Sequence, residues 1–127
     1  MVQGRLTLSD TKALTCFLLF CLIGSAVFGG PLVVEAGRTV PLIVELCVKA
    51  IEARGLMTAG IYRISGQMAS IQKMKRAFNE GVDVEQLIEK EPDINTIAAL
   101  LKLYFRELRE PLMVYDFYPL FIAAAGK

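Results

Sequence analysis

Arg63 is the residue of this 127-residue chain whose setting most asks for chemistry. It stands in "GLMTAGIYRISGQM", residues 55–68, among Ile61, Tyr62 and Ile64, with Gly60 and Gly66 on either side. Glycines permit backbone angles closed to other residues, and the three apolar neighbours can pack down and fix the loop. The guanidinium would then project from a rigid platform. It is permanently charged and offers several donors in a planar fork, a device suited to a phosphate or a carboxylate. The same pattern also fits an arginine that caps a helix end or pairs with a nearby glutamate.

Two further basic groups bear on that choice. Lys102, Arg106 and Arg109 recur at i, i+4 and i+7, the spacing of one helix face. Lys73, Lys75 and Arg76 cluster in another helical pattern, pointing away from its apolar stripe. Each group alone reads as a solvated face. Together with Arg63, they suit a partner carrying phosphates or acidic switch loops.

The rest of the sequence offers little catalysis. There is no histidine, which excludes histidine acid–base chemistry and histidine-containing metal sites. No GxGxxG, P-loop, HExxH or GxSxG occurs. Glu107 and Glu110 are three apart, so their carboxylates can be neighbours on a helix, but they read as solvated charge. The cysteines are Cys16, Cys21 and Cys47, an odd number without a CxxC, which argues against a disulfide framework or zinc and for a reducing compartment. No metal and no cofactor are expected. With 14 basic and 13 acidic residues, the net charge of +1 gives no global pull toward nucleic acid or acidic lipid.

The elements that must position Arg63 read as helices throughout, an all-α domain. Pro41 suits an early helical position. Leu42, Ile43, Leu46, Cys47, Ala50 and Ile51 follow as an apolar stripe, and Gly55 is expected to end that helix as a left-handed cap. After the loop, a second helix covers roughly Gln67 to Asn79, with Met68, Ile71, Met74 and Phe78 inward and Gly81 closing it. A short turn follows around Val84 to Ile88, where Asp83 and Gln86 resemble a capping box. Asp93 then caps a long helix whose inward positions are Ile94, Ile97, Ala98, Leu101, Tyr104, Phe105 and Leu108, ended by Pro111. A last, aromatic-rich helix begins near Asp116.

The first 39 residues differ in character. Residues 1–12 form a polar tail containing Arg5 and Lys12. Residues 13–28, "ALTCFLLFCLIGSAVF", carry no charge. A membrane-spanning helix wants about 20 apolar residues and at least about 17, so this run is slightly short. It reads as a signal or anchor, giving membrane association, or else as a buried core helix or a segment foreign to the domain. Residues 29–39, with Gly29, Gly30, Pro31 and Gly37, read as a linker to a domain over 40–127.

The residues also carry a resemblance. "VPLIVELCVKAIEARGL", "GIYRISG" and "INTIAALLKLYFRELREPLM", in that order and spacing, resemble the Rho GTPase-activating (RhoGAP) domain from about Val40 to Phe121. "LKLYFREL" with "DFYPLF" is most similar to the breakpoint-cluster-region type. The resemblance implies a helical bundle, extended here by an extra N-terminal hydrophobic helix, and a Rho-family small GTPase as partner. It also implies an activator that is not itself an enzyme, with any GTP and magnesium carried by the GTPase. Arg63 matches the family's arginine finger, which enters the GTPase site and stabilises charge on the phosphoryl group. Lys102 and Arg106 match the family's supporting cations, whereas Lys73, Arg76 and Arg109 are less certain partner-facing residues. Arg109 stands where the family usually has proline. The family domain continues through further helices and an asparagine beyond the fourth helix, so the resemblance implies a truncated domain with weak or no stimulation by itself, or a non-catalytic GTPase-binding decoy; the apolar run leaves a membrane-anchored helical protein without a GTPase role as a third reading. It places the chain in the cytoplasm, which the apolar run at 13–28 opposes.

Overall fold

A computed structural model describes residues 26–126, and each of its first four helices buries part of its surface in the core. The order is α1 (Leu42–Arg54), α2 (Met68–Glu80), α3 (Val84–Lys90), α4 (Ile94–Arg106), a 3-10 turn (Tyr115–Phe117) and α5 (Tyr118–Ala125). No strand occurs among the described residues. No helix among them is long and apolar enough to cross a membrane. The extra N-terminal helix expected over 13–28 lies outside the described residues except for Ala26, Val27 and Phe28, which are not helical.

α4 is the central element. Asp93 caps it, its carboxylate accepting from the Asn95 N–H at 3.0 Å. Ile94, Thr96, Ile97, Ala98, Leu100, Leu101 and Tyr104 are all buried. At 100° per residue these positions sweep an arc of about 200°, twice the stripe of a helix buried on one side. The reason is packing on two flanks, by α1 through Ile43, Cys47 and Ile51, and by α2 through Ile71, Met74, Ala77 and Phe78. Thr96 and Leu100, outside the expected stripe, belong to the second flank. Each fully buried aliphatic side chain contributes about 1.5–3 kcal/mol, so α4 is the most firmly seated part of the fold.

Several local expectations are corrected. Gly55 is right-handed (φ −114°) and ends α1 with its N–H on Ile51 O. Its role is close approach, since a Cβ there would stand 2.8 Å from Ile94 Cγ1. Gly81 does take the left-handed conformation, at φ 70°. The capping box at Asp83 does not form, because φ 24° turns its side chain from the helix N–H groups. Met68 is 65% exposed rather than inward.

The segment before α1 works harder than a linker. Glu35 Oε2 accepts from Leu42 N at 2.9 Å, capping α1 from outside, and Arg38 pairs with Glu45. Phe28 is buried with edge-on contacts to Phe78 and Tyr104, at centroid distances of 6.4 and 5.8 Å. Its N–H donates to Asn79 Oδ1 at 3.0 Å. Burial raises the pKa of the Tyr104 phenol, with Glu35 adding to the effect.

The last segment behaves differently. α5 buries none of its residues, and Leu112, Met113, Tyr115, Phe117, Tyr118, Leu120 and Ile122 are all exposed.

Candidate functional site: the Arg63 loop and its cationic groove

The loop between α1 and α2 is seated on α4 at three points. Its first end is Gly55 against Ile94. Its last end is Gly66 against the first turn of α4, where a Cβ would stand 2.4 Å from Thr96 Cα. Beside it, Gln67 N donates to Thr96 Oγ1 at 2.9 Å, and that hydroxyl donates to Asp93 Oδ2 at 3.1 Å. The middle is held by Lys102, whose Nζ donates to the Tyr62 carbonyl at 2.5 Å.

Within the loop, Arg63 N and Ile64 N both donate to Gly60 O, at 2.8 and 2.9 Å. Gly60 (φ +74°) and Tyr62 (φ 72°) are both left-handed. For tyrosine that conformation is strained, and Lys102 on its carbonyl holds it there. The apolar neighbours do less than the sequence implied. Ile61 packs on the core, but Tyr62 and Ile64 are each 46% exposed. The platform under Arg63 is therefore mainly hydrogen-bonded and only partly hydrophobic. Gly66 is needed for its close approach, not for a positive φ.

Arg63 is exposed, and its side chain makes no hydrogen bond or ion pair with the described residues. One guanidinium nitrogen lies 3.5 Å from where a Gly60 Cβ would be. Neither a helix cap nor a glutamate partner accounts for this arginine among those residues.

Beside the loop, a groove of about 420 Å³ runs between α2 and α4, lined by Ser65, Gly66, Gln72, Lys102, Arg106 and Glu107 among others. It brings Lys102 and Arg106 together, as their spacing implied. It does not include Lys73 or Arg76, which are exposed elsewhere on α2.

Arg109 is a correction, because α4 ends at Arg106 and not at Pro111. The Arg109 N–H turns instead to Gly30 O at 3.0 Å, so Arg109 is off the helical face of Lys102 and Arg106. Lys75 is a correction too. It does not point into solvent but pairs with Glu107 at 2.8 Å and lies 5.7 Å from the centre of the Phe28 ring. Ser65, Gln72, Thr96 and Glu107 were missed as groove or loop residues. Only Thr96, three after the capping Asp93, carried a readable signal.

Comparison with known proteins identifies the family and the fold. Residues 41–127 match the RhoGAP domain model. The chain is 46% identical over 100 residues to the human (Homo sapiens) breakpoint cluster region protein, covering 76% of this chain and 8% of that one. It is 45% identical over 86 residues to bovine (Bos taurus) N-chimaerin, covering 67% and 26%. The crystal structure of human Rho GTPase-activating protein 15 superposes with a TM-score of 0.72 at 34% identity, covering 98% of this chain and 57% of that one. The chain belongs to the RhoGAP domain family. It spans 8% and 26% of the lengths of the first two relatives.

Proposed function

We propose that this chain acts as an activator of a Rho-family small GTPase, with Arg63 as the finger that enters the partner's nucleotide site. The observation that carries the reading is an exposed arginine, unpaired among the described residues, on a loop held at three points by the best-buried helix. In phosphoryl transfer the protein's task is positioning and charge stabilisation. An arginine supplied to the transition state in trans is worth about 10³–10⁵ in rate. The charge acts most strongly where docking excludes water. Lys102 positions the loop through the Tyr62 carbonyl, and Arg106 adds charge to the groove that would face the GTPase. No cofactor is required of this chain, and its place of work is the cytoplasm.

A second reading, a module that binds the GTPase without accelerating it, is favoured by one feature. The apolar α5 segment is exposed, so part of the domain's apolar surface is left uncovered. We therefore expect weak stimulation by the 127-residue chain alone. Single-turnover GTP hydrolysis by a Rho-family GTPase, measured together with binding, tests both readings. Stimulation lost in Arg63→Ala with binding kept supports the finger. Binding without any acceleration supports the decoy, and no binding at all removes both. Full, family-level stimulation by this chain would overturn the expectation of weakness.

A further inference from the structure

We propose that Ser65 is a phosphorylation site, and that its phosphate docks against Lys102 and Arg106 and disarms the Arg63 loop. Ser65 is exposed and lines the same groove as those two cations. It stands in the non-helical stretch between the Arg63 turn and α2. Two backbone groups near it are already engaged, Tyr62 O by Lys102 and Gln67 N by Thr96. The Ser65 hydroxyl itself has no partner among the described residues. Arg63, two residues before it, gives the stretch the basic lead-in that arginine-directed serine kinases recognise.

The charge arithmetic gives the consequence. Glu107 is balanced by Lys75, which leaves Lys102 and Arg106 as the groove's net charge. A phosphoserine adds about −1.5 to −2 at neutral pH and three strong acceptor oxygens. That cancels the groove's positive charge. It also competes with the Tyr62 carbonyl for Lys102, because a charged acceptor outbids a neutral one. Freed of Lys102, the left-handed Tyr62 loses the contact that holds it, and Arg63 loses its aim. In the modification, the Ser65 oxygen attacks the γ-phosphorus of ATP. The new P–O bond forms as the bond to ADP breaks, and the hydroxyl proton passes to the kinase's base.

The regulatory half of this inference rests on the activator reading above, whereas the phosphate's seat does not. The test treats the full chain and its Ser65→Ala variant with ATP and an arginine-directed serine kinase and maps the phosphate by mass spectrometry. The phosphorylated chain is then titrated by phosphorus NMR, alone and as Lys102→Met. Finally, its affinity for a Rho-family GTPase carrying a non-hydrolysable GTP analogue is compared with that of the unmodified chain. The expected result is phosphate on Ser65 and none at that position in Ser65→Ala. The second phosphate pKa should lie at least about half a unit below its usual value near 6 and return toward it in Lys102→Met. GTPase affinity should fall about tenfold or more.

Absence of phosphate at Ser65 overturns the proposal, as does a titration at the ordinary value or one unmoved by Lys102→Met. Equal affinity of the phosphorylated and unmodified chains overturns the regulatory half. If the unmodified chain binds no GTPase, the activator reading fails, and the titration still decides whether the phosphate sits on Lys102.

Discussion

Replacing Gly66 by alanine should damage the loop more than replacing Gly60, although Gly60 is the one with a positive φ. At Gly66 the added Cβ meets Thr96 Cα at 2.4 Å, Thr96 N at 2.9 Å and Asn95 O at 3.0 Å. All three are backbone atoms of α4's first turn, so none can rotate away. Reaching ordinary contact requires the loop to lift by roughly 1 Å. That carries Gln67 N from 2.9 Å to beyond hydrogen-bonding reach of Thr96 Oγ1. Overpacking costs about 1–3 kcal/mol and the lost hydrogen bond about 1 kcal/mol. The sum, about 2–4 kcal/mol, corresponds to a fall in Tm of about 10–20 °C for a domain of this size. At Gly60 the close atoms are the tips of Ile64, at 3.0 Å, which can move. The cost there is the left-handed conformation, about 1–2 kcal/mol. Thermal unfolding followed by circular dichroism ranks the two variants. A roughly 1 Å displacement should also cut any GTPase stimulation by about 100-fold. A Gly66→Ala protein that melts within about 3 °C of the parent, or above Gly60→Ala, would refute the claim that the loop is seated on α4 by contact.

Three other outcomes follow from the same structure. Phe28→Ala removes a buried ring at the junction of α2 and α4 and should cost about 3–5 kcal/mol in a urea melt, even though residue 28 precedes the segment matched to the family. Lys102→Met should lower single-turnover stimulation at least about tenfold while Tm stays within a few degrees, because an exposed charge contributes little to stability. Cys47, fully buried on α1, has its thiol pKa pushed up from 9.0 to about 12 by burial. Folding therefore favours the protonated form, so this contribution is complete below pH 9 and is lost as pH rises toward about 12, at up to about 1.4 kcal/mol per pH unit. Chemical melts across that window, with Cys47→Ala as the reference lacking this slope, measure it.

Part of what local chemistry decides was legible in the sequence, although the Gly55 cap and the Asp83 box were not. The Asp93 cap and the spacing of Ile94, Ile97, Ala98, Leu101 and Tyr104 made α4 legible, and Gly81 marked the end of α2. What it hid depends on residues far away in the chain. Thr96 and Leu100 are buried because α4 is covered on two flanks, which no single-stripe pattern anticipates. α4 stops at Arg106, and three residues further on the Arg109 N–H turns to Gly30 O, 79 positions back in the chain. Lys75 looked solvated because its partner, Glu107, is 32 positions away. Lys102 was legible as a cation beside the loop, but its acceptor is a backbone carbonyl, a group that no motif advertises.

This difference separates the basic residues into two kinds. Arg38, Arg54 and Lys75 are spent inside the fold, on Glu45, on the carbonyls of Ile88 and Glu91, and on Glu107. Arg63 and Arg106 have no such partner among the described residues; Arg63 stands on the loop and Arg106 lines the groove beside it. Lys102 lies between the two kinds, since it holds the loop and lines the groove. A cation needed for stability is paired, whereas one kept for a partner must be left unpaired and then aimed by something else. Here the aim comes from α4, whose buried flanks fix Ile94, Thr96 and Lys102 relative to one another. Loosening α4 from within, as Leu100→Ala would, should therefore blur the position of Arg63 before it unfolds the chain. Stimulation should then fall more steeply than stability across a series of α4 core variants.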